Sequence, residues 1–290
     1  MSRTVLVLIC LVALPAACGG DSSPSSESED TNVIAAFYPL AWAAERIGGD
    51  AVQVRNLTPP GAEPHDVELT PRDVERIQSA DVVLYLGAGF QPAVEDAVEG
   101  AEGTAVDVLD GLSLAPAAQN EKGLTRDPHV WLDPVRYSAV VETIAKALGR
   151  TEQGRAVVDE LDELDREFET GLADCDRREL VTTHAAFGYL AERYHLEQIS
   201  ISGLTPEAEP APRDLEEIVD RVRDVGATTI FFETLVSPRL AETVARETGA
   251  HTAVLDPLEG LAEDDLDRGA DYLSVMRDNL AALRRGLGCR

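Results

Sequence analysis

The sequence predicts an α/β protein of two similar lobes, each a mainly parallel sheet flanked by helices, joined by one long helix. Three observations carry this expectation. Short apolar runs alternate with amphipathic stretches, the order produced by parallel strands and crossover helices. The same order recurs in the second half, with similar residues at corresponding turns. Between the halves, residues 151–173 place Val157, Leu161, Leu164, Phe168 and Leu172 at three- and four-residue spacing with charges between them. At 1.5 Å per residue such a helix spans about 35 Å, enough to act as a strut across a small domain.

Taken in order, residues 1–17 read as an export signal: Arg3 precedes an apolar run from Val5 to Leu14 that is too short to cross a bilayer. Cys18 follows two alanines and precedes a polar tract, as in a bacterial lipoprotein signal, although Pro15 stands where that pattern usually has Leu. Residues 18–31 would then be a lipid-anchored flexible tether. The N-terminal lobe is expected over 32–150, with strands at 33–36, 51–57, 81–86 and 105–109. Helices are expected at 39–47, 71–79 and 92–98, and another after Pro134. Thr70 before Pro71, with Asp73 in the first turn, is a helix start. The linking helix occupies 151–174 and the C-terminal lobe 175–290, with strands at 180–183, 198–201, 228–232 and 253–255 and a helix at 185–194. Leu204 to Pro210 echoes Leu57 to Pro64, and Pro212-Arg213-Asp214 echoes Pro71-Arg72-Asp73, so the repeat includes a proline loop.

The chain carries 53 acidic against 25 basic side chains, a net charge of −28. Phosphate repulsion excludes a nucleic-acid partner, and the acidity reads as a solvated surface. With Cys10 in the signal and Cys18 at its end, Cys175 and Cys289 remain, and in an exported protein they are expected to form a disulfide.

The stretch Asp127-Pro128-His129-Val130-Trp131-Leu132-Asp133-Pro134 is the most constrained in the chain, because two prolines restrict both themselves and the residues before them. Asp133 would cap the helix opened by Pro134. His65 follows the first proline loop, and His184 directly follows the strand at 180–183. Asp256 follows the strand at 253–255 and precedes a proline, much as His129 is placed in the first lobe. Parallel sheets gather ligands at such strand ends. His65, His129, His184 and Asp256 are therefore the expected metal ligands, two from each lobe. Three imidazoles and a carboxylate suit Zn²⁺ in a closed tetrahedral site with no position for an attacking water. Glu233 is a candidate to hold a ligating imidazole, and Glu63 and Asp66 are alternative ligands beside His65. His195 and His251 read as surface residues. Neither HExxH nor GxSxG occurs, so a hydrolase has no recognisable machinery.

At these residues the chain resembles the metal-binding solute-binding lipoproteins of bacterial ABC importers, in particular the zinc-specific type. The motifs are Gly61-Ala62-Glu63-Pro64-His65, the Asp127 to Pro134 stretch, Thr183-His184-Ala185-Ala186-Phe187-Gly188-Tyr189 and Leu255-Asp256-Pro257-Leu258. The resemblance implies a metal in the cleft between two rigidly joined lobes and delivery of Zn²⁺ to a membrane permease by a monomer outside the cell membrane or in the periplasm. It implies no enzyme activity. Within the family, histidine at the position of His184 marks zinc carriers and glutamate marks manganese or iron carriers. Residues 113–126 hold no histidine, so the His-rich collecting loop of many zinc-specific members is not expected. The competing readings are a manganese or iron carrier, a zinc-dependent hydrolase and a metal-stabilised adhesin.

Overall fold

The apolar runs become two four-stranded sheets. The computed structural model describes residues 30–117, 123–206 and 210–290. The export signal, Cys18, nearly all of the tether, and Glu207, Ala208 and Glu209 of the second proline loop lie outside them. In the first sheet β1 (Thr31–Ala35), β2 (Val52–Asn56), β3 (Val82–Tyr85) and β4 (Thr104–Asp107) run parallel in the order β2-β1-β3-β4. Helices α1 (Tyr38–Gly48), α2 (Pro71–Ser79) and α3 (Pro92–Val98) supply the crossovers, and α4 (Pro134–Ala147) and α5 (Thr151–Gly171) follow. The second sheet is built from β5 (Glu179–Thr182), β6 (Glu197–Ser200), β7 (Thr229–Phe232) and β8 (His251–Val254). Its order, β6-β5-β7-β8, repeats the first. Helices α6 (Gly188–Arg193), α7 (Pro212–Asp224), α8 (Arg239–Thr248), α9 (Glu263–Asp267) and α10 (Tyr272–Leu287) complete the chain.

The start signals work as their chemistry dictates. Thr70 and Asp73 form a reciprocal capping box at α2, and Asp133 accepts from the amides of Val135 and Arg136 at α4. At α7 the equivalent of Thr70 is Ala211, which offers no side-chain cap. One expected element is shorter than its pattern. The helix predicted over 185–194 begins only at Gly188. The carbonyl of His184 accepts from the Thr182 hydroxyl (2.7 Å) and the Gln198 amide (3.2 Å), which diverts it from a helical ladder.

The apolar stripe of α5 is buried at Val157, Leu161, Leu164 and Phe168. It packs against α1 and α4 on the N-terminal side and α10 on the C-terminal side. Each such side chain stabilises the fold by about 1.5–3 kcal/mol. The core around α5 is continuous from β1 and β3 to Leu180, Phe231, Leu255, Tyr272 and Met276 of the second lobe, and a smaller cluster around Val181, Ile199, Ile230 and Val244 fills the second sheet's other face. One shared core makes the two lobes a single packed body. Cys175 and Cys289 are joined as a disulfide that closes 114 residues of chain and ties the segment after α5 to the end of α10. No described helix is long and apolar enough to cross a membrane.

Candidate metal centre

Each site residue is held by its own local device. His65 lies in a 3-10 turn, Pro64–Asp66, whose start is capped by the Glu63 carboxylate accepting from the His65 amide at 3.2 Å. The Gln91 amide donates to the Pro64 carbonyl (3.1 Å) and the Thr58 hydroxyl to the Ala36 carbonyl (2.8 Å), which ties the proline loop back to the end of β1. The Asp127 carboxylate takes both the backbone N–H of His129 (3.0 Å) and its Nδ1 (2.7 Å) on one oxygen, so the Asp-Pro turn orients the imidazole. His184 Nδ1 lies 2.8 Å from Glu233 Oε1, which also accepts from the Thr183 hydroxyl at 2.9 Å. In both imidazoles an Nδ1–H donated to carboxylate leaves the Nε2 lone pair free to coordinate.

The four side chains that converge are His65, His129, His184 and Glu259, with one donor atom from each within 4.8 Å of all the others. Glu259 Oε1 stands 3.4, 3.2 and 3.3 Å from Nε2 of His65, His129 and His184. All three Nε2 atoms and both Glu259 oxygens are buried without a hydrogen-bond partner. Five orphaned polar atoms facing one point are costly unless something binds there. A tetrahedral Zn²⁺ with ligands at 2.0–2.1 Å has ligand–ligand edges of about 3.3–3.4 Å, close to the three Glu259–imidazole separations. The donor set therefore fits zinc.

Asp256 is not among the four. One of its oxygens accepts from the Leu258 amide (2.8 Å) and the other from the Thr234 hydroxyl (3.0 Å), while Asn279 holds its backbone on both sides. Its counterpart in the first lobe is thus Asp127 rather than His129. Each aspartate precedes a proline and accepts from the amide two residues on, and the converging side chain comes later, at His129 or Glu259. Leu258 adopts φ +56°, a left-handed backbone unfavourable for leucine, and that turn brings Glu259 inward. The missed signal was the Glu259-Gly260 pair just beyond the Asp-Pro turn. Glu63 serves as a cap, Asp66 is exposed, and His195 and His251 are exposed.

Electrostatics separates the three imidazoles. Burial pushes His65 down, and the nearby Glu259 only partly opposes it. Burial also acts against charge on His129, but Asp127 and Glu259 outweigh it and raise the pKa. His184 faces Glu233 and Glu259, which together overcome its burial and lift it well above the usual histidine range. Burial disfavours charge on Glu259 too, yet the imidazoles around it hold its carboxyl well below the ordinary carboxylate range.

A family profile described as "ZnuA: Zinc-uptake complex component A periplasmic" matches residues 33–286. The zinc-binding protein AdcA of Streptococcus pyogenes serotype M6 is 33% identical over 316 residues, covering 98% of this chain and 61% of AdcA. The chain thus spans less than two thirds of that relative's length. The high-affinity zinc uptake system protein ZnuA of Bacillus subtilis is 31% identical over 308 residues, 98% of this chain and 97% of its own. In three dimensions the Zn(II)-bound ZnuA-like domain of Streptococcus pneumoniae AdcA superposes with a TM-score of 0.76 at 34% identity, covering 89% of this chain and 99% of that domain.

Proposed function

This chain belongs to the ZnuA family of zinc-uptake components, and from that premise we propose that it is an exported Zn²⁺-binding protein that hands zinc to the permease of an ABC importer. One observation carries the reading: three buried Nε2 atoms and the Glu259 carboxylate, all without hydrogen-bond partners, face a common point. Zinc is the cargo. His65 and His129 come from the N-terminal lobe and His184 and Glu259 from the C-terminal lobe, so the ion is held between 32–150 and 175–290, across the helix at 151–174. A compact set of three nitrogens and one carboxylate favours Zn²⁺ over Mn²⁺, which prefers more oxygen ligands and higher coordination. A closed set of four also leaves no position for an attacking water, which supports carriage over hydrolysis.

Cys18 carries lipid and the residues from Gly19 up to the start of β1 at Thr31 tether the monomer outside the cell membrane, within reach of the permease. Competitive titration of the mature protein against a chromophoric chelator tests the central reading. One tightly bound Zn²⁺ per chain, Mn²⁺ bound far more weakly and no hydrolytic turnover are expected. Mn²⁺ bound as tightly as Zn²⁺ would overturn it. Mass spectrometry of the native N-terminus checks the anchor, and an unmodified mature chain would refute it.

A further inference from the structure

Glu259 is held differently from the three histidines. His129 and His184 each have a carboxylate of their own lobe at Nδ1 and His65 sits in a capped turn, whereas the Glu259 carboxylate, on the loop between β8 and α9, has no such partner. Its carboxylate is fully buried and neither oxygen has a hydrogen bond. A charged group with no bond of its own prefers water, so the loop must be kept from swinging outward.

The restraint comes from the other lobe. The Pro257 carbonyl, two residues before Glu259, accepts from the indole N–H of Trp131 at 2.7 Å. Trp131 is 2% exposed, meets Phe37 edge-on at 4.8 Å between ring centroids and lies 5.1 Å from the His129 ring. Its own carbonyl accepts from the Tyr272 hydroxyl of α10 at 2.5 Å. One bond therefore runs from the N-terminal lobe to the Glu259 loop, and a second runs back from the C-terminal lobe to the same tryptophan. The Asp256 carboxylate braces the loop from inside its own lobe through Leu258, while two bonds tie it to the lobe that bears His65 and His129: Trp131 holds it at Pro257, before Glu259, and the Gly61 amide donates to the Leu261 carbonyl, after Glu259, at 3.0 Å.

We propose that Trp131 is a positioning residue for Glu259, its indole N–H pinning the loop at Pro257 so that the carboxylate meets the imidazoles only while the lobes are seated together. The proposal rests on the zinc-carrier reading. Losing this bond releases the loop on the Pro257 side and loosens the fourth donor while leaving the three histidines in place, which is a route to release. A double-mutant cycle tests it with zinc dissociation constants and chelator-chase rates. Trp131→Phe keeps an aromatic ring and removes the donor. It should raise Kd about tenfold, the lower end of the range for a group acting behind a metal ligand, through faster dissociation rather than slower association. In a Glu259→Gln background the same change should add less than about twofold, because the group it positions has already lost its charge.

Equal factors in both backgrounds would overturn the proposal and assign Trp131 to packing around His129. An unchanged Kd for Trp131→Phe would overturn it as well, and so would a Glu259→Gln variant that binds zinc like the wild type. Failure of the wild type to bind zinc would instead remove the carrier reading itself. If Trp131→Phe does not fold, Tyr272→Phe takes its place in the cycle under the same criteria, since it deletes only the hydroxyl that holds the Trp131 carbonyl.

Discussion

The two lobes share one strand order and one proline loop, yet they furnish the metal centre differently. In the first lobe the proline loop carries His65 and the Asp-Pro turn carries His129. In the second, described positions around the equivalent loop offer Leu204, Thr205, Pro206 and Pro210, and the contributions come instead from the end of β5, at His184, and from the Asp-Pro turn, at Glu259. A repeated scaffold preserves where ligands can be placed, at the ends of strands, without preserving which loop supplies them. The braces differ too. His129 is held by a residue two positions away and His184 by Glu233 on the neighbouring strand's end, whereas His65 is held through its backbone.

The largest expected effect tests whether both lobes are needed. His184→Ala and His65→Ala should each weaken zinc binding by more than about 100-fold, beyond the roughly 10–100-fold that follows loss of a group behind a ligand. Competitive titration decides it, and a variant that kept wild-type affinity would exclude that lobe's histidine from the centre. Next come the braces. Asp127→Asn and Glu233→Gln should each cost roughly 10–100-fold, since in both a single carboxylate oxygen receives two donors, one of them the imidazole Nδ1. Affinities equal to wild type would show that the imidazoles keep their orientation unaided.

Acid should separate the histidines. Zinc needs neutral imidazoles, and raised pKa values let protons compete at higher pH, so affinity should start to decline above the free histidine value of about 6.5 and fall steeply below about pH 6. His184 and His129, both raised, lead the decline, and His65, which is lowered, protonates last. In the metal-free protein the sign reverses. Protonated His184 stabilises the fold below its unfolded pKa, and that contribution is lost as pH rises through its raised folded value. Dissociation constants and melting temperatures between pH 8 and 5 measure both, and a flat affinity profile would contradict a three-histidine centre.

Among the described residues the disulfide belongs to the second lobe alone. Reducing it should cost about 4–5 kcal/mol by the loop-entropy estimate for a closure of this size and lower Tm in calorimetry. The zinc Kd should stay within about twofold, because the bridge joins the segment after α5 to the end of α10 and neither cysteine is among the converging donors. The smallest effect is expected at Asp256. Burial raises its carboxyl to about 6, and Asp256→Asn still accepts the Leu258 amide. Zinc affinity should change by less than about threefold, the scale of half a neutral hydrogen bond. A loss as large as that of His184→Ala would restore Asp256 as a ligand.

Much of this was written in the chain. Parallel sheets, the α5 strut and the repeat were determined by apolar periodicity, because a strand or helix must bury one face whatever its partner. The capping box at Thr70 and the cap at Asp133 are local chemistry and could be read residue by residue. What the sequence left open was which buried polar groups pair with one another. The choice between Asp256 and Glu259 depended on a left-handed Leu258, which no propensity favours. The truncation of α6 depended on Gln198 and Thr182 reaching the His184 carbonyl. The Trp131 to Pro257 bond joins residues 126 positions apart. Tertiary structure decided these because a buried carbonyl or carboxylate takes whichever donor the packed core brings within about 3 Å, and that choice exists only once the lobes have met.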